Sequence, residues 1–324
     1  MKLNTIYEGK CLDVIRTFPD KSIDCVITSP PYWQLRDYGW DGQWGNEPTF
    51  QMYLENLWSL MDEIWRVLKD TGTVWINLGD TYGSFRGSSS ASSFSRNGNG
   101  DNRHEMNERP NKGKFEKCLL LIPHRFAIGC IDRGWIMRND IVWAKRNGMP
   151  ESVTDRFSKK HEYFFFMAKS EKYYFDLESI RDNHIWAKRD KRSQVEGVVL
   201  SGGKTATNEY GTNKVAYNPN GKNPGSVSDF WDIPTKGNSD NHYASYNTRL
   251  IDKPIIAGCP VGGIILDPFC GTATTGCRAI DLQRKFIGIE GKPEYVQIGN
   301  KKLNPFIISQ QLFTQNEQTT NPHR

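Results

Sequence analysis

The segment Gly263–Glu290, GIILDPFCGTATTGCRAIDLQRKFIGIE, decides the fold class of this chain. The apolar run Ile264–Leu266 predicts a buried strand, and Gly271 lies in the loop between that strand and a following helix. Lys285–Ile289 predicts a second strand, which ends at Glu290. A strand, a glycine loop, a helix and a second strand form the βαβ unit that binds nucleosides, with the acidic residue placed to accept hydrogen bonds from ribose hydroxyls.

The loop itself indicates what kind of nucleoside is bound. It contains one glycine rather than the three of a phosphate-binding loop, and Asp267 precedes it at the tip of the strand. A carboxylate in this position repels a pyrophosphate and attracts an ammonium or sulfonium cation. The pattern therefore favours S-adenosylmethionine over a dinucleotide. A packed turn that binds no ligand remains the alternative.

A second segment, Thr28–Trp33 with the sequence TSPPYW, follows the apolar strand Ser22–Thr28. The proline pair ends the strand abruptly and removes two N–H donors. The Ser29 hydroxyl and the Pro30 carbonyl can then accept both hydrogens of an exocyclic base amine, while Tyr32 offers a face for stacking an extruded base. A turn with a buried tyrosine is the equal alternative for this segment alone.

The intervening sequence predicts further α/β structure. Periodicity and apolar runs predict helices at 54–68, 119–131 and 293–303, and strands at 73–78, 136–143 and 163–167. Residues 84–103 are rich in Ser, Gly and Asn, which predicts a mobile surface loop. Residues 183–228 carry seven Lys or Arg against three Asp or Glu, together with six Asn, so a DNA-contacting insert and a solvated loop fit equally well.

Composition excludes several classes of protein. The chain has 324 residues, a net charge of +5 and 37% hydrophobic residues. Its mean hydropathy is −0.63 and it has no long apolar run, so no membrane span and no secretory signal are expected. Seven scattered cysteines without a CxxC pair argue against a disulfide framework or a structural zinc site. No metal is expected, because the histidines do not cluster.

Taken together, the two segments resemble the amino-methylating DNA methyltransferases of restriction–modification systems and phages. Thr28–Trp33 resembles their catalytic signature, [DNS]-P-P-[YFW], and Asp267–Thr275 resembles their cofactor loop, D-P-F-x-G-S-G-T-T. The catalytic motif comes first in this chain, as in the circularly permuted β group. Ala273 replaces the second loop glycine, where it would add a methyl group near the ligand.

The resemblance implies an α/β, Rossmann-like fold that binds S-adenosylmethionine, with a target-recognition insert. Residues 1–182 would form the catalytic half, with a mobile loop at 84–115. Residues 183–240 would form the target-recognition region, and 241–324 the cofactor-binding half. The implied catalytic residues are Ser29, Pro30, Pro31 and Tyr32, and the implied cofactor contacts are Asp267, Pro268, Phe269, Gly271, Thr272, Glu290 and Asn247.

Serine in the first motif position resembles the subgroup that methylates N4 of cytosine, so we expect a base-flipping, in-line methyl transfer to that amine in double-stranded DNA. Adenine N6 is the alternative. RNA or protein-glutamine methylation and an inactive DNA-binding homologue are more distant alternatives. The expected setting is the cytoplasm of a prokaryote, or of a phage's host, in association with the nucleoid. The chain would act as a monomer or homodimer, and a cognate restriction endonuclease that acts on the same DNA site is a candidate partner.

Overall fold

A computed structural model describes residues 1–83, 115–148, 151–181, 206–207, 213–214, 227–235 and 247–320. The predicted mobile loop therefore lies outside the described residues except for Phe115, and so does most of the predicted target-recognition region. Within the described part, eight strands form one sheet in the order β1-β10-β9-β2-β3-β5-β4-β8. These strands are β1 (Thr5–Glu8), β2 (Ile23–Thr28), β3 (Leu68–Leu78), β4 (Ile136–Ala144), β5 (His161–Ala168), β8 (Phe230–Asp232), β9 (Ile264–Asp267) and β10 (Lys285–Glu290).

Seven helices accompany this sheet, and a separate two-stranded pair, β6 (Ala206–Thr207) and β7 (Asn213–Lys214), completes the described elements. The helices are α1 (Cys11–Ile15), α2 (Phe50–Val67), α3 (Ile122–Asp132), α4 (Leu177–Ile180), α5 (Thr248–Gly258), α6 (Thr274–Asp281) and α7 (Pro293–Thr320). Side chains of α1, α2 and α3 share one apolar core on one face of the sheet. Side chains of α5, α6 and α7 share the core of the other face. Strands covered in this way read as continuous apolar runs, which is why β2 and β9 were recognisable in the sequence.

The direction in which the chain adds strands to the sheet reverses between β2 and β9. From β9 the chain passes through α6 to β10 on one side, and from β2 it passes through α2 to β3 on the other side. Strands β2 and β9 are parallel neighbours, with Val26 paired to Leu266. The carboxyl ends of these two strands flank a crevice in which α/β proteins bind ligands. The fold therefore provides one crevice for the two segments that the sequence singled out.

The sequence-based elements are confirmed, with shifted ends. Helix α2 begins earlier than predicted because the Thr49 hydroxyl accepts a hydrogen bond from the Met52 N–H at 3.2 Å and caps it. Strand β3 begins at Leu68, directly after the helix. The mixed pairing was not foreseen, since β5 runs antiparallel to both β3 and β4. None of the described helices combines the length and the apolarity that a membrane crossing requires.

The contact between α2 and α3 generates a stability prediction. A Cβ added at Gly129 of α3 would lie 2.3 Å from Cε2 of Trp58, whose indole N–H donates to the Phe126 carbonyl at 3.1 Å. Gly129→Ala should therefore lower the free energy of unfolding by about 1–3 kcal/mol, although alanine is the better helix former. Urea denaturation measures this change.

Ile128→Ala in the same helix is the control, because this side chain is 59% exposed. It should change stability by no more than about 0.5 kcal/mol. Stabilisation by Gly129→Ala would show that the two helices do not pack as closely as described.

Candidate active site

The two segments predicted to carry the chemistry meet directly at the carboxyl ends of β2 and β9. The Thr28 hydroxyl donates a hydrogen bond of 2.6 Å to Oδ1 of Asp267, across 239 positions of sequence. Both side chains are buried. The residue before the Ser-Pro-Pro turn thus anchors the residue that begins the glycine loop.

Asp267 organises that loop as well. Its Oδ1 also accepts the Phe269 N–H at 3.1 Å, and its Oδ2 accepts the Thr275 hydroxyl at 2.6 Å. Burial raises the pKa of the Asp267 carboxyl to about 6, while these hydrogen bonds hold it down. The group is therefore negatively charged at neutral pH, at the place where the sequence predicted attraction of a cation.

Glu290 closes the other side of the loop. Its Oε2 accepts the Gly271 N–H at 3.0 Å and its Oε1 accepts the Lys292 N–H at 2.8 Å. Gly271 has φ of +52°, a conformation that favours glycine. Burial raises the pKa of Glu290 from its usual value.

Ala273 replaces the usual glycine without obstructing the crevice. It adopts φ of +63° and is completely buried. Its methyl group packs toward α7, where a Cβ added at Gly299 would lie 3.4 Å from it. The concern that this methyl group would crowd a ligand is therefore not supported.

Two cavities occupy the crevice. The larger, of about 290 Å³, is lined by residues from both predicted segments: Ser29, Pro30, Tyr32, Asp267, Phe269, Gly271 and Thr272. The smaller, of about 110 Å³, is lined by Ser29, Pro31, Pro268, Phe269, Gly271 and Glu290 among others. Ser29, Phe269 and Gly271 contribute to both, so the cavities adjoin.

Asn247 is the one predicted site residue that lines neither cavity. Its Oδ1 accepts the Arg249 N–H at 3.1 Å and caps α5, and its Nδ2 donates to the Pro234 carbonyl at 3.0 Å. Its contact with a cofactor stays a prediction to which the geometry adds no support.

The Ser-Pro-Pro-Tyr turn is held from several sides. The Tyr53 hydroxyl donates to the Pro31 carbonyl at 2.8 Å. The Tyr32 hydroxyl lies 2.9 Å from Oδ1 of Asn77 and 2.8 Å from Oε2 of Glu162. Gly79 packs against the tyrosine ring, since a Cβ there would lie 2.6 Å from Cε2 of Tyr32. Hydrogen bonds therefore hold the Tyr32 hydroxyl, and Gly79 packs against one side of its ring.

Sequence reasoning missed the polar residues behind this turn. Asn77, Lys145 and Glu162 line the larger cavity together with Trp143. Asn77 lies on β3, Lys145 directly follows β4 and Glu162 lies on β5, and no short motif links the three residues. The available signal was their position at or beside the ends of predicted strands.

The sequence analysis also missed the aromatic residues that line the smaller cavity. Tyr38, Trp40 and Trp44 line this cavity beside Glu290, and the centroid of the Trp44 ring lies 5.1 Å from that of the Phe269 ring.

The described residues contain no group of three or more His, Cys, Asp or Glu side chains placed to hold a metal ion. Burial raises the pKa of the Cys270 thiol well above its usual value, so this loop cysteine is a packed, uncharged group.

Comparison with known proteins places this chain in a family. The sequence profile of the family described as DNA methylase, which covers N6 and N4 enzymes, matches residues 23–301. The type II methyltransferase M.Cfr9I of Citrobacter freundii is 37% identical over 301 residues, covering 92% of this chain and 87% of the relative. M.SmaI of Serratia marcescens is 33% identical, covering 92% and 90%. The chain belongs to the DNA methylase family and is a DNA amino-methyltransferase of its permuted group.

Solved structures agree on the fold. The PvuII DNA methyltransferase (cytosine-N4-specific) has a TM-score of 0.60 at 17% identity, covering 93% of this chain and 90% of its own. The putative DNA modification methylase TTHA0409 of Thermus thermophilus, solved in complex with S-adenosyl-L-methionine, has a TM-score of 0.57 at 20% identity, covering 94% and 95%. These similarities confirm the expected Rossmann-like methyltransferase fold, and S-adenosylmethionine is the cofactor of the family.

The residues present fit that cofactor. Flat aromatic side chains in the smaller cavity suit an adenine ring, and Glu290 supplies the carboxylate acceptor that ribose hydroxyls require. The Glu290 carboxylate accepts backbone N–H groups of Gly271, Gly291 and Lys292, and a carboxylate has about four acceptor positions, so it keeps capacity for a ribose hydroxyl. Asp267 brings negative charge to the larger cavity, which suits a cationic group.

The raised pKa of Asp267 generates a pH prediction. The native carboxyl titrates near pH 6, whereas an unfolded aspartate titrates near about 3.9. The folded state therefore binds the proton more tightly, and stability falls as pH rises between these values. Relative to Asp267→Asn, the wild type should lose about 3 kcal/mol of unfolding free energy between about pH 4 and 6.5.

Urea denaturation of both proteins across this pH range, without cofactor, measures the difference. Above about pH 7 the difference should become constant, because the carboxyl is ionised in both states. A difference that does not vary with pH would contradict the burial assigned to this carboxylate.

Proposed function

We propose that this chain transfers a methyl group from S-adenosylmethionine to the N4 amine of cytosine in duplex DNA. The observation that carries the proposal is the shared cavity of about 290 Å³, which both the Ser29–Pro30 turn and the Asp267–Thr272 loop line. A methyl acceptor held by the turn and a methyl donor held by the loop would meet there. Such juxtaposition is the main catalytic contribution that a direct transfer needs.

The turn would prepare the target amine for attack. The Ser29 hydroxyl and the Pro30 carbonyl would each accept one amine hydrogen, which localises the nitrogen lone pair toward the donor. S-adenosylmethionine supplies an electrophilic methyl group when it is bound. Because the cavity lies at the ends of buried strands, the groups that surround the amine are fixed in place before the reaction, and little reorganisation is required.

Tyr32 would hold the extruded base. Gly79 packs against one side of the Tyr32 ring, and Tyr32 also lines the larger cavity. We therefore propose that the remaining face of the ring stacks on the target base. Stacking of this kind contributes about 1–3 kcal/mol per base and offsets part of the cost of flipping.

The cofactor would occupy both cavities. We propose that Glu290 binds the ribose in the smaller one and that Asp267 favours the cationic end in the larger one. The loop residues would line its path between them: Pro268, Phe269, Gly271 and Thr272.

The choice of cytosine over adenine depends on Ser29, the first position of the catalytic signature. The family itself includes both N4 and N6 enzymes, so adenine N6 is the second candidate. The two differ in product and not in the proposed roles of the residues.

We also propose a division of the chain into a catalytic half (1–182), a target-recognition region (183–240) and a cofactor half (241–324). The excess of Lys and Arg over Asp and Glu in residues 183–228 supports contact of this region with the DNA backbone. The relatives named above are type II methyltransferases, which supports a cognate restriction endonuclease as functional partner and a cytoplasmic location with the DNA.

Nucleoside mass spectrometry tests the reaction. The chain would be expressed in a host that lacks DNA methyltransferases, with Ser29→Ala as the matched control. N4-methylcytosine should appear in the wild-type DNA and be strongly reduced in the control. N6-methyladenine would favour the second candidate, and the absence of both would contradict the proposal.

Two variants should separate acceptor binding from donor binding. Ser29→Ala should lower kcat by about 10- to 100-fold and leave cofactor Kd nearly unchanged, since it removes an acceptor at the amine. Glu290→Gln should instead raise cofactor Kd by about tenfold or more, because it removes a charged acceptor for the ribose hydroxyls. Steady-state methylation measures kcat, and calorimetry measures the cofactor Kd. Equal loss of cofactor binding in both variants would contradict the assignment.

A further inference from the structure

Glu162 lies behind the catalytic turn, 130 positions from it in sequence, and joins two side chains there. Its Oε2 accepts the Tyr32 hydroxyl at 2.8 Å, and its Oε1 forms an ion pair with the Lys145 ammonium. The Glu162 and Lys145 side chains are only 14% and 20% exposed. Lys145 also lies over the Trp143 ring, 4.4 Å from its centroid. A carboxylate held in this way has a fixed position.

The Tyr32 hydroxyl has one proton and two acceptors within reach. Oδ1 of Asn77 at 2.9 Å is neutral, whereas Oε2 of Glu162 at 2.8 Å carries charge. Hydrogen bonds to charged acceptors are about twice as strong as neutral ones, so the proton lies toward Glu162. Burial and the Glu162 charge raise the pKa of Tyr32 well above its usual value, so the hydroxyl keeps its proton and remains a donor.

This direction of donation determines what Ser29 can do. The Ser29 hydroxyl lies 3.4 Å from Oδ1 of Asn77 and 3.5 Å from the Tyr32 oxygen. Asn77 is oriented because its Nδ2 donates to the Tyr163 carbonyl at 3.0 Å, which turns Oδ1 toward both hydroxyls. With the Tyr32 proton on the Glu162 side, both neighbours of Ser29 are acceptors. The Ser29 proton is therefore directed to Asn77 or Tyr32, which leaves the Ser29 lone pairs for another donor.

We propose that Glu162, held by Lys145, is a positioning residue that fixes Tyr32 as a donor and thereby keeps Ser29 as an acceptor for the target amine. This inference rests on the proposed function, and it applies equally to an N4 or an N6 amine. Without the carboxylate, the Tyr32 proton would turn to Asn77 and compete with Ser29 for its oxygen. The Ser29 hydroxyl would then be free to point its proton at the base.

Glu162→Gln tests the charge while keeping size and shape. We expect kcat to fall by about 10- to 100-fold in steady-state methylation of the duplex site mapped from wild-type activity. The KM for cofactor should stay within about twofold, because Glu162 acts on the base side of the cavity. A fall in kcat and cofactor affinity together, with a lower Tm, would indicate a structural role and overturn the proposal.

A double-mutant cycle tests whether Glu162 acts through Tyr32. Tyr32→Phe removes the hydroxyl and leaves the Glu162–Lys145 ion pair in place, and it should lower kcat to a similar degree. In that background Glu162→Gln should change kcat by less than about threefold, since the group through which it acts is gone. Independent, additive losses would overturn the proposal. If Glu162→Gln does not fold, Tyr32→Phe alone still tests the proposal, because full activity of this variant would overturn it.

Glu63→Gln is the matched control. Glu63 is also a partly buried, ion-paired carboxylate. Its side chain is 22% exposed and its Oε2 lies 2.9 Å from Nε of Arg66, but Glu63 lines neither cavity. Its loss should leave kcat unchanged. Failure of this proposal can be distinguished from failure of the proposed function. A wild type that methylates no DNA refutes the function. An active wild type, with additive losses of kcat in the Glu162 and Tyr32 variants, refutes only the role of Glu162.

Discussion

The hydrogen bond from Thr28 to Asp267 is the contact on which the site depends. A buried carboxylate is unfavourable unless its oxygens are satisfied, and Asp267 reaches this by accepting from Thr28, Phe269 and Thr275. These three donors belong to the end of β2, the glycine loop and helix α6. One side chain thus fixes the strand end, the loop and the helix start relative to each other. The serine-diproline turn follows Thr28 directly, so its position is set by the same contact.

The topology of the sheet explains why this contact can form at all. Strands β2 and β9 are neighbours although one comes early and the other late in the chain. Each continues through a helix to a strand further out, in opposite directions, which leaves no crossover above their shared end. The order of the two motifs along the chain therefore has no influence on their geometry. A permuted sequence and an unpermuted one can build the same crevice, provided that the two strands remain adjacent.

The sequence predicted the parts of this structure that are local. The apolar runs of β2 and β9, the periodicity of α2 and the two loop motifs all depend on neighbouring residues, and they were found. Helix α5 was missed because Pro254 interrupts its pattern, and β8 because three residues give no period. Asn77 and Glu162 were missed for a different reason. Their importance comes from pairing across strands, Asn77 opposite Phe164 on β5 and Glu162 opposite Trp143 on β4, which no single segment contains.

The charges around the crevice divide it into two unlike ends. In the part of the chain that the structure describes, Asp267 and Glu290 accept hydrogen bonds from hydroxyls and backbone N–H groups and form no ion pair with Lys or Arg. Burial raises the pKa of both, which means that a nearby cation would stabilise their charged forms. Glu162, at the other end, is already neutralised by Lys145. Under the proposed function, a cationic methyl donor would therefore be favoured beside the glycine loop, and a neutral base beside the serine turn. This difference in potential would help to orient donor and acceptor, and it follows from which carboxylates the fold pairs with a cation and which it leaves for a ligand.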